Sequence, residues 1–182
     1  MTTLKGRVFA TAMIALTGAI AATGTMAQES TNVVATRTDW SVFTEPAGAA
    51  QATECWGVST PKETVNTRDG QPVSVQRSDI LLFVTFVPGA GANGQVSFTG
   101  GYPFAPGSTV NITIDSSSFE LFTEGEWAWT ANDSEDSALL TAMKRGSSAV
   151  LTARSARGTQ TRDTFSLQGF TAAMTDAEAR CQ

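Results

Sequence analysis

The sequence predicts a mainly β protein: an antiparallel β-sandwich, or a barrel-like form of it, with one mid-chain helix and one C-terminal helix. Three observations carry this prediction. Short apolar runs alternate with polar residues at period two, as half-buried strands do. Turn dipeptides such as Asp69-Gly70 and Pro88-Gly89 punctuate the runs at hairpin intervals. The period changes to that of a helix in two places, after Asn132 and at Phe170.

Residues 1–27 stand apart from this pattern. Lys5 and Arg7 make a positive start, residues 8–20 are almost wholly apolar, and Thr25-Met26-Ala27 places small side chains before the polar Gln28. That layout predicts a secretory signal peptide cleaved between Ala27 and Gln28. The apolar run is short against the about 20 residues a bilayer span needs, and no other stretch is long and apolar enough to span. Residues 28–37 are polar and are expected to be loose, and residues 38–182 are expected to form one β-rich domain.

Within that domain, Trp40 and Val42 share one face of a first strand, and residues 47–50 form a small-residue loop. Residues 54–59 read as a strand with Cys55, Gly57 and Ser59 on one side and Trp56 and Val58 on the other. Residues 66–70 turn the chain, Val73 and Val75 alternate with polar neighbours, and Ser78-Asp79 turns it again. Residues 80–87 are the most hydrophobic run after the signal segment, and their β-branched and aromatic content argues for a strand. Strands follow at residues 95–99, at Val110, Ile112 and Ile114, at Phe119 and Leu121, and at Trp127 and Trp129. Asn132 with Glu135 three residues on resembles a capping box. Leu139, Leu140 and Met143 then follow at helical spacing, and Lys144, Arg145 and Gly146 suit the helix end. Strands return at residues 149–153 and 164–167 around a polar turn, for nine or ten in all. Phe170, Ala173, Met174, Ala177 and Cys181 fall on one face of a terminal helix, which turns Cys181 inward.

Composition excludes several kinds of chemistry. Without Lys5 and Arg7 the chain keeps ten basic against 17 acidic residues, a net charge of −7. A non-specific nucleic-acid binder needs the opposite sign. Histidine is absent, so Ser-His-Asp and Cys-His sites cannot be built and histidine zinc sites are excluded. Cys55 and Cys181 are the only cysteines. In an oxidising compartment an even count reads as one disulfide, and no Cys-x-x-Cys spacing points to redox chemistry. The bridge would close a loop of about 127 residues and tie the last helix to an early strand.

Four groups of residues carry candidate sites. Glu120, Glu124, Glu126, Asp133, Glu135 and Asp136 crowd together, but without a calcium-loop pattern they read first as an acidic surface at a helix N-terminus. Trp127 and Trp129 share a strand face near Phe122; they read first as core, and second as an aromatic platform for a glycan or peptide. Arg154, Arg157 and Arg162 bracket one turn, with Lys144 and Arg145 within reach if the helix lies alongside; they read as a solvated hairpin tip or a docking patch for an anion or partner. The serine runs at 116–118 and 147–148 lack a Gly-x-Ser-x-Gly elbow and read as turn residues.

Several segments together resemble a known family. They are Asp39-Trp40-Ser41-Val42, Glu54-Cys55-Trp56, Ala142-Met143-Lys144-Arg145-Gly146 with Ala149, and Phe165-Ser166-Leu167-Gln168-Gly169-Phe170 with Ala172-Ala173. Over about residues 38–175 the chain resembles the invasion-associated locus B family of bacterial exported proteins. The closing strand, Leu-x-Gly-Phe and helix are the most specific part. The resemblance implies a small β-rich domain of the periplasm, the cell envelope or the outside of a Gram-negative bacterium, with no catalytic residues to carry over. Other members carry a further cysteine pair near the stretch that here reads Phe122 to Trp129, where this chain has tryptophans instead.

These readings lead to an exported, non-enzymatic binding or structural domain without a cofactor, its partner a protein or an envelope glycan. Trp127, Trp129, Arg154 and Arg157 are its candidate partner-binding residues. The alternative is a periplasmic hydrolase-like or inhibitor-like protein that uses a carboxylate pair.

Overall fold

A computed structural model describes residues 32–46 and 51–181. The expected signal segment, its expected cleavage position between Ala27 and Gln28, and the loop expected at 47–50 lie outside the described residues. The described chain forms β1 (Val33–Arg37), β2 (Trp40–Glu45), β3 (Glu54–Ser59), β4 (Glu63–Arg68), β5 (Gln71–Pro72), β6 (Leu81–Val87) and β7 (Ala92–Thr99). There follow β8 (Thr109–Ile114), β9 (Ser117–Glu124), β10 (Trp127–Trp129), the helix α1 (Asp133–Arg145), β11 (Ser148–Arg154), β12 (Gln160–Ser166) and the helix α2 (Phe170–Arg180).

All pairings are antiparallel and join the strands into one sheet in the order β1-β2-β3-β6-β7-β10-β9-β8-β11-β12-β4-β5. β7 and β12 stand five places apart, which in a flat sheet would separate them by about 24 Å. Yet Phe98 of β7 meets Phe165 of β12 edge-on with ring centroids 6.1 Å apart. The sheet therefore curls until its two halves face each other across one core, as in a sandwich. It does not close into a barrel, because β1 and β5 end the order without pairing to each other. The barrel-like form is not realised.

The inward positions are those the alternation selects: Trp40 and Val42, Leu82 and Val84, Val96 and Phe98, Val110 and Ile112, Leu151 and Phe165 are all buried. Each large apolar side chain so placed contributes roughly 1.5–3 kcal/mol. Trp40 also donates its indole N–H to the Ser166 carbonyl (3.0 Å) and meets Phe170 edge-on, which joins β2 to β12 and α2.

Three local expectations change. Residues 33–37, expected to be loose, form β1 on the edge of β2. Val34 and Ala35 pack against the core and Arg37 pairs with Asp176 of α2 at 2.6 Å, so this segment has side-chain reasons to stay. Residues 63–72 form a hairpin, β4 and β5, around Asp69 and Gly70, both at positive φ as a tight hairpin turn requires. Val73 and Val75 keep their alternation outside the named strands: the Val73 N–H still bonds Asn66 of β4 (3.0 Å), and the chain leaves that edge after it.

The helices follow their predicted signals. Asn132 accepts from the Glu135 N–H (3.1 Å), and Glu135 accepts from the Ala131 N–H in return (3.1 Å). Gly146 ends α1 in extended rather than left-handed backbone, and a side chain there would collide with Ile114 and crowd Leu167. α2 begins at Gly169, whose φ of +86° and close approach to the Arg37 carbonyl both call for glycine. Just beyond α2, Cys181 is bonded to Cys55 of β3, with Cα atoms 5.9 Å apart.

Candidate functional site: an aromatic face on the outer sheet

The outer face of the half-sheet β2-β3-β6-β7-β10-β9 carries the exposed aromatic side chains. Its phase is set at β7. Phe98 points inward, Ala128 of β10 pairs with it and is buried, and the neighbours Trp127 and Trp129 must then point outward. The expectation that these tryptophans belong to the core is therefore corrected. Phe98 already fills the inward space beside β10, so the small Ala128 takes that phase.

Register brings further rings alongside. Phe83 and Trp129 both pair with Ser97, and Leu81 and Trp127 both pair with Thr99. The bulky neighbours cover Ser97 and Thr99 although these lie on the outer face. Trp127 and Trp129 are nearly parallel, with centroids 6.4 Å apart and planes inclined by 21°. Phe83 lies 5.7 Å from Trp127, and Phe122 lies 5.6 Å from Trp129. One row further along the same face, Phe43 and Trp56 stack at 5.5 Å. Trp127 is 39% and Phe122 46% exposed, so the rings meet solvent.

The electrostatics of this face have one sign. Its six strands contain no lysine or arginine, but they carry Glu45, Glu54, Glu120 and Glu124. Beside Trp129 and Phe122 lies a recess of about 430 Å³, into which Gln95, Glu124, Asn132 and Asp133 bring polar groups. Part of the acidic run is already committed. Glu135 caps α1, and Asp136 is buried, accepting from the Val96 N–H (2.7 Å) and the Thr130 hydroxyl (2.6 Å). Within β7, only residues 97–99 pair with β10, so Asp136 supplies the acceptor Val96 would otherwise lack on that edge. Among the described residues no three acidic or sulfur side chains converge to hold a metal ion.

The predicted arginine patch is split. Arg154 and Arg162 line an open trough of about 500 Å³ on the outer face of β4, β8, β11 and β12. Arg157 lines a separate cavity of about 600 Å³ together with Arg68 and Arg77. Lys144 and Arg145 precede the start of β11 whereas Arg154 ends it, which separates them by roughly 20 Å of strand.

The sequence reading missed a buried ion pair. Arg77 grips Asp163 with two hydrogen bonds (2.8 and 2.6 Å), donates to the Gly100 carbonyl (2.7 Å) and lies over the Tyr102 ring. Burial raises the Asp163 carboxyl above its ordinary range although Arg77 pulls it down. Burial likewise raises the Tyr102 phenol, whose hydroxyl bonds to Thr161. Asp39, at the surface, is lowered, first by its hydrogen bond with Lys62. A signal for Asp163 was present: it stands two residues before Phe165 and so shares its inward face.

No helix among the described residues is long and apolar enough to cross a membrane. Comparison with known families finds one model, described as "Invasion associated locus B (IalB) protein", that matches residues 40–178. That span runs from the first residue of β2 into the last turns of α2. The comparisons with curated proteins and with solved structures return no match.

Proposed function

The chain belongs to the invasion-associated locus B family, and from that premise we propose that it is an exported, non-enzymatic domain of the bacterial envelope or periplasm that binds a glycan on its outer aromatic face. The observation that carries this reading is the Phe83–Trp127–Trp129–Phe122 ladder beside a recess of amide and carboxylate groups. A sugar ring has an apolar C–H face that lies well on an aromatic ring, whose face is electron-rich. Its hydroxyls donate to acceptors at the rim, and Gln95, Glu124, Asn132 and Asp133 supply them. Because the face lacks cations, it suits a neutral or amino-bearing glycan better than an anionic one.

Other features support the setting. A Cys55–Cys181 disulfide suits an oxidising compartment. The carboxyls moved from their ordinary range, Asp39 and Asp163, are each held by a cation, Lys62 and Arg77, and neither lines the recess.

Co-sedimentation with purified peptidoglycan sacculi, together with a panel of neutral, amino-bearing and anionic oligosaccharides, tests the proposal. The wild-type protein is expected to bind at least one neutral or amino-bearing member. Trp127→Ala/Trp129→Ala is expected to lose at least tenfold in affinity, about 1.4 kcal/mol. Equal binding by both proteins, or binding only to anionic members or to none, would refute it; a protein partner that requires the same tryptophans would replace the glycan.

A further inference from the structure

Residues 73–78 have the side-chain pattern of a strand without its partner. Val73, Val75 and Arg77 are half-buried while Ser74, Gln76 and Ser78 are exposed, the period of extended chain. The Val73 N–H donates to Asn66 (3.0 Å) and the Ser78 N–H to Gly101 (3.1 Å). Between them, among the described residues, Ser74 to Arg77 make no backbone hydrogen bond. Alternate N–H groups of an extended chain point to the same edge. Ser74 and Gln76 therefore present theirs on the edge where Ser78 meets Gly101.

That edge borders the cavity of about 600 Å³ lined by residues 74–77, by residues 101–103 and by the β11–β12 turn. Its size suits a ligand. Three guanidinium groups and one carboxylate, Glu126, line it. Arg77 is neutralised by Asp163. Arg68 spends one N–H on the Thr159 hydroxyl (2.8 Å). Arg157 has no ion-pair partner among the described residues. Two available cations thus face one acid across a cavity bordered by unpaired backbone.

We propose that this cavity docks an extended peptide bearing a carboxylate: the peptide adds a strand along residues 74–77, and Arg68 and Arg157 hold its carboxylate. Backbone pairing supplies affinity without sequence preference, and the fork of two guanidinium groups selects the acid. The carboxylate is either the free end of a chain or an aspartate or glutamate side chain. The lining includes none of Phe83, Phe122, Trp127 or Trp129, so this site stands or falls independently of the aromatic face.

The test is affinity selection of random heptapeptides on the purified protein, from one pool with free C-termini and one with amidated C-termini. Enrichment from the free pool alone assigns the chain end as the carboxylate source; enrichment of both pools with a fixed Asp or Glu assigns a side chain. Either result supports the proposal when three readouts agree. Arg157→Ala and Arg68→Ala each weaken binding at least tenfold, Trp127→Ala leaves it unchanged, and ¹⁵N amide shifts on binding fall on Ser74 to Arg77. Arg157 is exposed in a turn, and an unchanged circular-dichroism spectrum for its variant confirms the fold. No enrichment from either pool, a consensus without a carboxylate, or equal binding by Arg157→Ala overturns it.

Discussion

At the scale of single residues, burial separates side chains that composition makes look alike. Trp40 and Trp127 are both strand tryptophans, but Trp40 is fully buried and hydrogen-bonded whereas Trp127 meets solvent. Trp40→Ala is expected to cost about 3–5 kcal/mol in urea unfolding and Trp127→Ala about 1 kcal/mol. Arg77→Met leaves the Asp163 carboxylate buried without its cation, and a loss of about 3–5 kcal/mol at neutral pH is expected by the same measurement. Asp163 also gives stability a distinct dependence on pH. Its folded-state pKa is raised above 3.8, so the folded protein takes up this proton before the unfolded chain does. The contribution of this site is full below 3.8 and is lost as the pH rises through the raised value. Subtracting the unfolding free energies of Asp163→Asn from those of the wild type is expected to leave a difference that declines as the pH climbs above 3.8. Asp39 has the opposite sign. Lys62 lowers it, so its contribution is present above 3.8 and is lost as the pH falls through the lowered value.

At the scale of elements, each helix is fastened by a polar device as well as by an apolar stripe. α1 buries Leu139 and Met143, and Asp136 holds it to β7 and to Thr130. Asp136→Ala strands two buried donors, the Val96 N–H and the Thr130 hydroxyl. A loss of about 1–3 kcal/mol in thermal or urea unfolding is expected, with faster amide exchange at Val96. Met174 of α2 lies over Gly57 of β3, where a side chain would collide with it. The capping box of α1 and the inward face of α2 were legible in the sequence because each is local, spanning a few residues. Asp136 was read only as one acid of a surface cluster, because its donors lie on β7 and before α1.

At the scale of the whole molecule, the curl of one sheet and the Cys55–Cys181 bond act together. α2 packs on β2 and β3, and the bond fixes its far end to β3 across a separation of 126 residues. Closing so long a loop constrains the unfolded chain, and Cys55→Ser/Cys181→Ser is expected to lower stability by about 2–5 kcal/mol while the sheet retains its far-UV spectrum. Both sulfurs are consumed in the bond, so alkylation of the unreduced protein under denaturing conditions is expected to label no thiol in mass analysis. The same architecture divides the surface. One half-sheet presents aromatic rings with glutamates, and the other presents threonines and asparagine with Arg154 and Arg162.

The sequence by itself determined the strand and helix periods, the antiparallel β class, the inward cysteine of the last helix and the single pairing open to two cysteines. Those properties depend on neighbours a few residues apart, or on a count. Only the tertiary structure decided which way Trp127 and Trp129 face, that Arg157 and Arg154 serve different cavities, and that Arg77 finds Asp163. A three-residue strand is too short for its own alternation to set its phase, so Phe98 across the ladder sets it. Likewise, two charges 86 residues apart meet because β4, which anchors the segment before Arg77, pairs with β12, a neighbourhood no local pattern reveals.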